Sequence, residues 1–169
     1  MILDGMVETP RLTIRPFVLS DAAILVAVFS DPDVARHVGD GEPLSLEAAR
    51  LWVTRSGENL KRHGYGTGAV IARSSGQLIG WAGFARPRDG PEQIICGLTV
   101  ANWGQGLGNE IVKALLGVAD GRGIATVLAT VDRANAKSIR LLQKLGFRLR
   151  ERDHGGDPDV HLYERALTD

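Results

Sequence analysis

The chain has 169 residues, with 20 basic and 20 acidic side chains and one cysteine. That length suits one domain that buries its own core, and balanced, interspersed charge leaves no net field to draw it to nucleic acid or an anionic membrane. Cys96 alone excludes an internal disulfide and a cysteine-built metal site, and no apolar run approaches the roughly 20 residues that span a bilayer.

Leu12-Thr13-Ile14-Arg15 alternates apolar and polar residues before Pro16 and reads as a short strand. Ser20 caps a helix through Phe29, and Asp31-Pro32 restarts a shorter one toward His37. After a loop at 39–43, Ser45 opens a third helix. Its Leu46, Ala49, Trp52, Val53 and Leu60 keep helical spacing until Gly64. Residues 66–73 and 77–85 read as hairpin strands about Ser74-Ser75-Gly76, followed by a turn-rich loop at 86–91. A strand at 92–100 then enters a glycine loop, and the next helix runs to about Asp120. A buried strand at 125–131, a helix at 135–145 and strands at 147–152 and 160–166 complete the chain. The expectation is one mixed α/β (α+β) domain over 1–169, with residues 94–131 forming a βαβ unit. The first ten residues carry acids and a proline instead of a basic-then-apolar leader, so a soluble, cytoplasmic protein is expected.

The most informative stretch is Asn102-Trp103-Gly104-Gln105-Gly106-Leu107-Gly108-Asn109-Glu110. A strand, three glycines at alternate positions and a helix start aim backbone N–H groups and the positive helix end at one point. Such a point binds an anion, most often a phosphate or pyrophosphate. Glycine is needed where a Cβ would block the ligand or forbid a positive φ.

The ordered motifs resemble the GNAT N-acetyltransferases, in particular the branch of the ribosomal-protein alanine acetyltransferases. The resemblance rests on Thr9-Pro10-Arg11-Leu12-Thr13-Ile14-Arg15, on Ser30-Asp31-Pro32-Asp33-Val34 and on Leu78-Ile79-Gly80-Trp81-Ala82-Gly83. It rests also on the glycine loop, and on Asn135, Ala136 and Ser138 before Leu141-Leu142-Gln143-Lys144-Leu145-Gly146-Phe147. It implies a central, mostly antiparallel twisted sheet with one splayed parallel pair and flanking helices. It implies acetyl-coenzyme A as cofactor and a primary amine, on a protein N-terminus or a small molecule, as acceptor. The pyrophosphate would sit on N–H groups of Gly104, Gln105, Gly106, Leu107, Gly108 and Asn109, with Trp103 covering the loop or packing under it. A homodimer is compatible with the family.

Amine attack on a thioester needs a neutral amine, placement, a donor for the developing oxyanion and a proton for the thiolate. No covalent intermediate is required, so Cys96 need not be a nucleophile. Backbone from Leu98 through Thr99 to Val100 would hold the coenzyme and supply the oxyanion donor. Ser138, on the Leu142/Leu145 face of its helix, is the candidate acid; the alternative is a bond within its own helix. Many relatives carry a tyrosine at the position of Leu142. Asn135 could bond the pantetheine arm or serve as a plain N-cap. Glu92 is the candidate base, although Gln93 occupies the family's glutamate position: either a bulge brings Glu92 round, or a water chain serves without a direct base and Glu92 is a solvated turn residue.

Other residues carry plainer readings. His37, His63, His154 and His161 show no metal-ligand spacing or paired acids, and Asp153, Asp157 and Asp159 lack the order of a calcium loop. Trp52 and Cys96 read as core, Tyr65 as core, surface or acceptor pocket, and Lys137, Arg140 and Lys144 as a solvated stripe or a contact for the coenzyme's 3′-phosphate. Gly68 replaces a large aromatic of many relatives and would widen the acceptor pocket or loosen its strand. Two rival readings stay open. One is a dinucleotide-binding module with Asp132 as the ribose acid; the other is a coenzyme-A-binding sensor without catalysis.

Overall fold

The structure is a computed structural model that describes residues 5–38, 41–85 and 91–167. The expected loops at 39–43 and 86–91 therefore lie partly outside the described residues. Strands β1 (Val7–Glu8) and β2 (Leu12–Pro16) lead into α1 (Asp21–Phe29), α2 (Pro32–Ala35) and α3 (Leu46–His63). Next come β3 (Thr67–Ala72), β4 (Leu78–Ala85), β5 (Gln93–Leu98) and α4 (Leu107–Gly121). The chain closes with β6 (Thr126–Asp132), α5 (Ala136–Lys144), β7 (Arg148–Glu151) and β8 (Val160–Ala166). Among the described residues no helix is long and apolar enough to cross a membrane.

One eight-stranded sheet runs in the order β1-β2-β3-β4-β5-β6-β8-β7. Every neighbouring pair is antiparallel except β5–β6. On one face, Ile111, Val112, Leu115 and Leu116 of α4 and Leu142 of α5 bury against Ile94, Phe84, Val127 and Ala129. Helical spacing sets this apolar stripe, and each fully buried aliphatic side chain contributes about 1.5–3 kcal/mol. On the opposite face, α1 and α3 pack through Leu25, Ala49 and Val53. There Phe17, Phe29, Trp52 and Trp81 form an aromatic cluster whose linked ring centroids lie 4.6–6.1 Å apart, a spacing that favours edge and tilted contacts.

Strand β5 follows β4 in register from Ala85↔Gln93 to Gly80↔Leu98, and β6 follows β8 from Thr126↔Ala166 to Asp132↔Val160. Between β5 and β6 the ladder holds only Gln93↔Leu128. Each strand thus stays with its outer neighbour, and the sheet opens as a wedge toward the C-terminal ends of both.

Four expectations need correction. Strand β1 was not legible, because two residues show no period. The strand read as 92–100 ends at Leu98, since Thr99 opens a 3-10 turn over Val100–Asn102. Ser20 makes no side-chain cap bond. The neighbouring carboxylate of Asp21 does the anchoring, accepting the Val18 N–H at 2.8 Å and two guanidinium N–H groups of Arg15 at 2.8 and 3.1 Å. Nor does Gly68 make room: a Cβ there would lie 2.1 Å from the Arg15 carbonyl oxygen. The residue is glycine because β2 and β3 approach too closely for any side chain.

Candidate active site

The loop after β5 presents bare backbone. Gly106 holds the N-cap position of α4 in the left-handed region, at φ 77°, and supplies no side chain to the first turn. The first intrahelical bond of that end runs from the Glu110 N–H to the Gly106 carbonyl. The N–H groups of Leu107, Gly108 and Asn109 are therefore left to a ligand at the positive end of the helix.

This end is braced from the far side. Arg11 donates to the Gln105 carbonyl at 2.9 Å and pairs with Glu110 at 2.7 Å. Glu110 also accepts the Thr9 hydroxyl at 2.6 Å and the Arg11 N–H at 2.9 Å. An acid beside an anion site would repel its ligand, and Arg11 offsets that charge. Burial alone would raise the Glu110 carboxyl; the Thr9 hydroxyl, the Arg11 N–H and the guanidinium outweigh it and hold the group below its ordinary value. Because the folded carboxyl loses its proton more readily than the unfolded one, this stabilisation is complete above the unfolded value and lost as pH falls through the folded one. Glu110→Gln should therefore flatten the fall of stability below about pH 4.5. Urea unfolding across that range checks it, and a slope equal to that of the unmodified protein would contradict it.

Alternation along β5 decides what faces the wedge. The Thr99 N–H bonds the Ile79 carbonyl on the β4 side, whereas the Glu92 carbonyl accepts the Leu128 N–H on the β6 side. In an extended strand both groups of one residue point to the same neighbour. The even-numbered residues therefore face β6. Beyond the single Gln93↔Leu128 pair, the N–H and C=O of Cys96 and the N–H of Leu98 are directed into the gap. The Leu98 carbonyl accepts the Trp103 indole N–H at 2.8 Å. Trp103 thus lies over the end of β5, 40% exposed, rather than packing under the loop.

Of the three residues assigned to the coenzyme, Leu98 directs its N–H into the gap. That of Thr99 belongs to the β4 ladder, and Val100 packs against the aromatic cluster. Cys96, expected in the core, is exposed in the wedge. The protein mass around its strand pushes the thiol up to about 11. Its contact with solvent limits that effect, and either way it is a thiol rather than a thiolate at neutral pH.

On the opposite bank, Asn135 caps α5 by accepting the Ser138 N–H at 3.2 Å, as its plainer reading held. Ser138 is half-buried on the side of Leu142 and Leu145. A Cβ on Gly108 would lie 3.4 Å from Leu141, so the second turn of α5 packs on the first turn of α4, and Ser138 lies one turn before Leu141 on that helix. Lys137, Arg140 and Lys144 are solvent-exposed.

Glu92 sits elsewhere. Its carboxylate accepts the hydroxyl of Tyr65, a core residue, at 2.6 Å. It lines an open cleft of about 410 Å³ with His63, Arg122 and residues 123–125, at the end where β5 and β6 still pair. Two histidines do have acid partners, contrary to expectation. His37 meets Asp132 at 3.0 Å across 95 residues, and His154 meets Glu151 at 3.0 Å. The first pairing had no sequence signal, because only the tertiary fold brings those segments together.

A coenzyme A molecule fits these features. Uncapped N–H groups await its pyrophosphate, and an open strand edge awaits its amide-bearing arm. In the first turn of α4 the buried Asn109 Oδ1 has no hydrogen-bond partner.

Comparison with known proteins agrees. Residues 11–148 match the model of the acetyltransferase (GNAT) domain family. The N-acetyltransferase p20 of Bacillus licheniformis is 27% identical over 142 residues, covering 82% of this chain and 80% of its own. An L-methionine sulfoximine/L-methionine sulfone acetyltransferase of Pseudomonas aeruginosa is 24% identical over 143 residues, 81% of this chain and 80% of that one. Among solved structures, the ribosomal L7/L12 alpha-N-protein acetyltransferase RimL, in complex with coenzyme A, superposes with a TM-score of 0.79. It does so over 96% of this chain and 98% of its own, at 18% identity, which speaks for the fold alone. With the loop, the wedge and the family match in agreement, the chain belongs to the GNAT family of acetyltransferases and is an acetyl-coenzyme-A-dependent N-acetyltransferase.

Proposed function

We propose that the enzyme moves the acetyl group directly to a primary amine, with donor and acceptor bound together in the wedge. The open edge of β5 carries this reading: it leaves the N–H of Leu98 facing a gap that no strand fills. Bound acetyl-coenzyme A supplies a thioester that amines attack. Gly104, Gln105, Gly106, Leu107, Gly108 and Asn109 hold its pyrophosphate by backbone N–H groups, Trp103 covers the end of β5, and Asn135 fixes the turn that carries Ser138. Leu98 donates its N–H to the thioester oxygen, and Ser138 Oγ holds a proton for the departing sulfur. Direct transfer requires no acetyl group on Cys96.

Calorimetric titration with acetyl-coenzyme A, with NAD as control, tests the cofactor; micromolar affinity corresponds to about −8 kcal/mol. Binding of NAD alone would restore the dinucleotide reading. Release of free coenzyme A that depends on an added amine separates the enzyme from a binding sensor. The acceptor panel should begin with small α-amino compounds such as the methionine sulfone named for the Pseudomonas relative, then peptides with a free N-terminus. Ser138→Ala should lower kcat on the order of 10²-fold with coenzyme affinity retained. Unchanged turnover would remove Ser138 from the mechanism.

A further inference from the structure

The His37–Asp132 pair takes no part in the coenzyme contacts, yet it spans the wedge. Asp132 ends β6, four residues beyond Leu128, the last position paired with β5. Along β6, Val127, Ala129 and Val131 face the α4 core, so by alternation Leu128, Thr130 and Asp132 face the α1–α3 side. His37 comes from that side. It follows α2, and Val34 and Val38 around it belong to the cluster that includes Trp81, Ile95 and Val100. The hydrogen bond therefore bridges the β5 bank to the β6 bank at the open end of the gap, on the face away from α4.

The chemistry of the pair has a direction. A carboxylate only accepts, so His37 Nδ1 donates to Asp132 Oδ2 at 3.0 Å, and in the neutral imidazole this places the lone pair on Nε2. The second oxygen, Oδ1, accepts the Ala134 N–H at 2.8 Å, which fixes the carboxylate. The side chains are 24% and 26% exposed: open to an incoming ligand, yet sheltered. Of the charged groups next to the pair in sequence, Arg36 is paired with Asp33 and Arg133 with Asp159, and Arg133 also helps to hold the Asp132 carboxyl below its ordinary value.

We propose that His37, oriented by Asp132, accepts the proton of the incoming ammonium on Nε2. This rests on the acetyltransferase reading of the same wedge. One N–H bond of the ammonium breaks, its electron pair stays on nitrogen as the attacking lone pair, and the proton forms the Nε2–H bond of an imidazolium paired with Asp132. Primary amines are mostly protonated at neutral pH, so such a base is required wherever solvent does not supply the free amine. Asp132 is a positioning residue. Glu92, the other candidate base, has its carboxylate on Tyr65 at the closed end of the wedge.

The test compares amine-dependent coenzyme A release by the unmodified protein, His37→Gln, Asp132→Asn and Glu92→Gln across pH. His37→Gln should lower kcat/KM for the amine about 10²-fold near pH 7. The loss should shrink as pH approaches the amine's own pKa, because solvent then supplies neutral amine. Acetyl-coenzyme A affinity, read by calorimetry, should stay within twofold of the unmodified protein. Comparing pH values within one variant cancels any loss of folded protein. Nitrogen NMR of the free protein should show the His37 imidazole protonated on Nδ1, with Asp132→Asn weakening that preference. A loss of equal size at every pH, an unchanged rate, an Nε2-protonated imidazole, or the pH-dependent loss appearing in Glu92→Gln instead would each overturn the proposal. Failure of the acetyltransferase reading itself shows separately, as an unmodified protein that releases no coenzyme A with any amine.

Discussion

Gly106→Val should abolish measurable acetyl-coenzyme A binding while the protein remains folded. At φ 77° Gly106 occupies the left-handed region, which costs a residue with a Cβ roughly 1–2 kcal/mol and a β-branched one more. Space is not the obstacle, since an added Cβ would approach only the Arg11 guanidinium, at 3.7 Å. Strain thus subtracts a few kcal/mol from stability without a backbone collision. The ligand suffers on two counts. The valine side chain covers the N–H groups of the first turn, and relaxation of the strained φ turns those groups away from their common point. Loss of two hydrogen bonds to a charged group, about 1.5–3 kcal/mol each, raises Kd by roughly 10²–10⁴. Calorimetry beside a thermal melt reads both effects. A variant with a lowered Tm but a Kd within threefold of the original would sink the assignment of the loop.

That loop was legible because its requirements are local. Three alternating glycines, a preceding apolar run and a following helical stripe specify strand, anion cradle and helix without reference to the rest of the chain. The splay of the sheet was legible only through resemblance. Its cause, that β5 keeps to β4 while β6 keeps to β8, is a matter of pairing that no stretch of sequence carries. The same holds for which N–H points into the wedge. Leu98, Thr99 and Val100 look alike as the tail of a strand, and register with Ile79 separates the one that faces the gap from the one that does not.

Side-chain pairs follow this rule most clearly. Tyr65 and Glu92, 27 residues apart, and His37 and Asp132, 95 apart, are joined by the packing of whole elements, so neither pairing shows in the residues taken singly. Gly68 misled for the opposite reason. A missing side chain suggested space, whereas the structure fills that space with the backbone of β2.

The second large effect is expected at Asp21. Its side chain is 2% exposed and accepts three hydrogen bonds, two of them from Arg15 and one from the Val18 N–H. Asp21→Ala leaves a guanidinium that cannot lose its proton and a backbone N–H without its acceptor. Breaking a fully buried pair costs about 3–5 kcal/mol. Arg15, with 29% of its side chain exposed, can recruit water, which places the expected loss nearer 3 than 5 kcal/mol. If the cost comes from the stranded charge, removing both partners should be milder than removing one. Arg15→Leu with Asp21→Leu should therefore unfold at a higher urea concentration than Asp21→Ala, and the reverse order would contradict this account. The loss should also reach function selectively. The pair ties β2 to the start of α1, the helix that leads into α2 and His37, whereas the glycine loop is braced separately by Arg11 and Glu110. Well below its melting temperature, Asp21→Ala should keep its affinity for acetyl-coenzyme A and lose amine-dependent turnover, because the two faces of the wedge are anchored by different ion pairs.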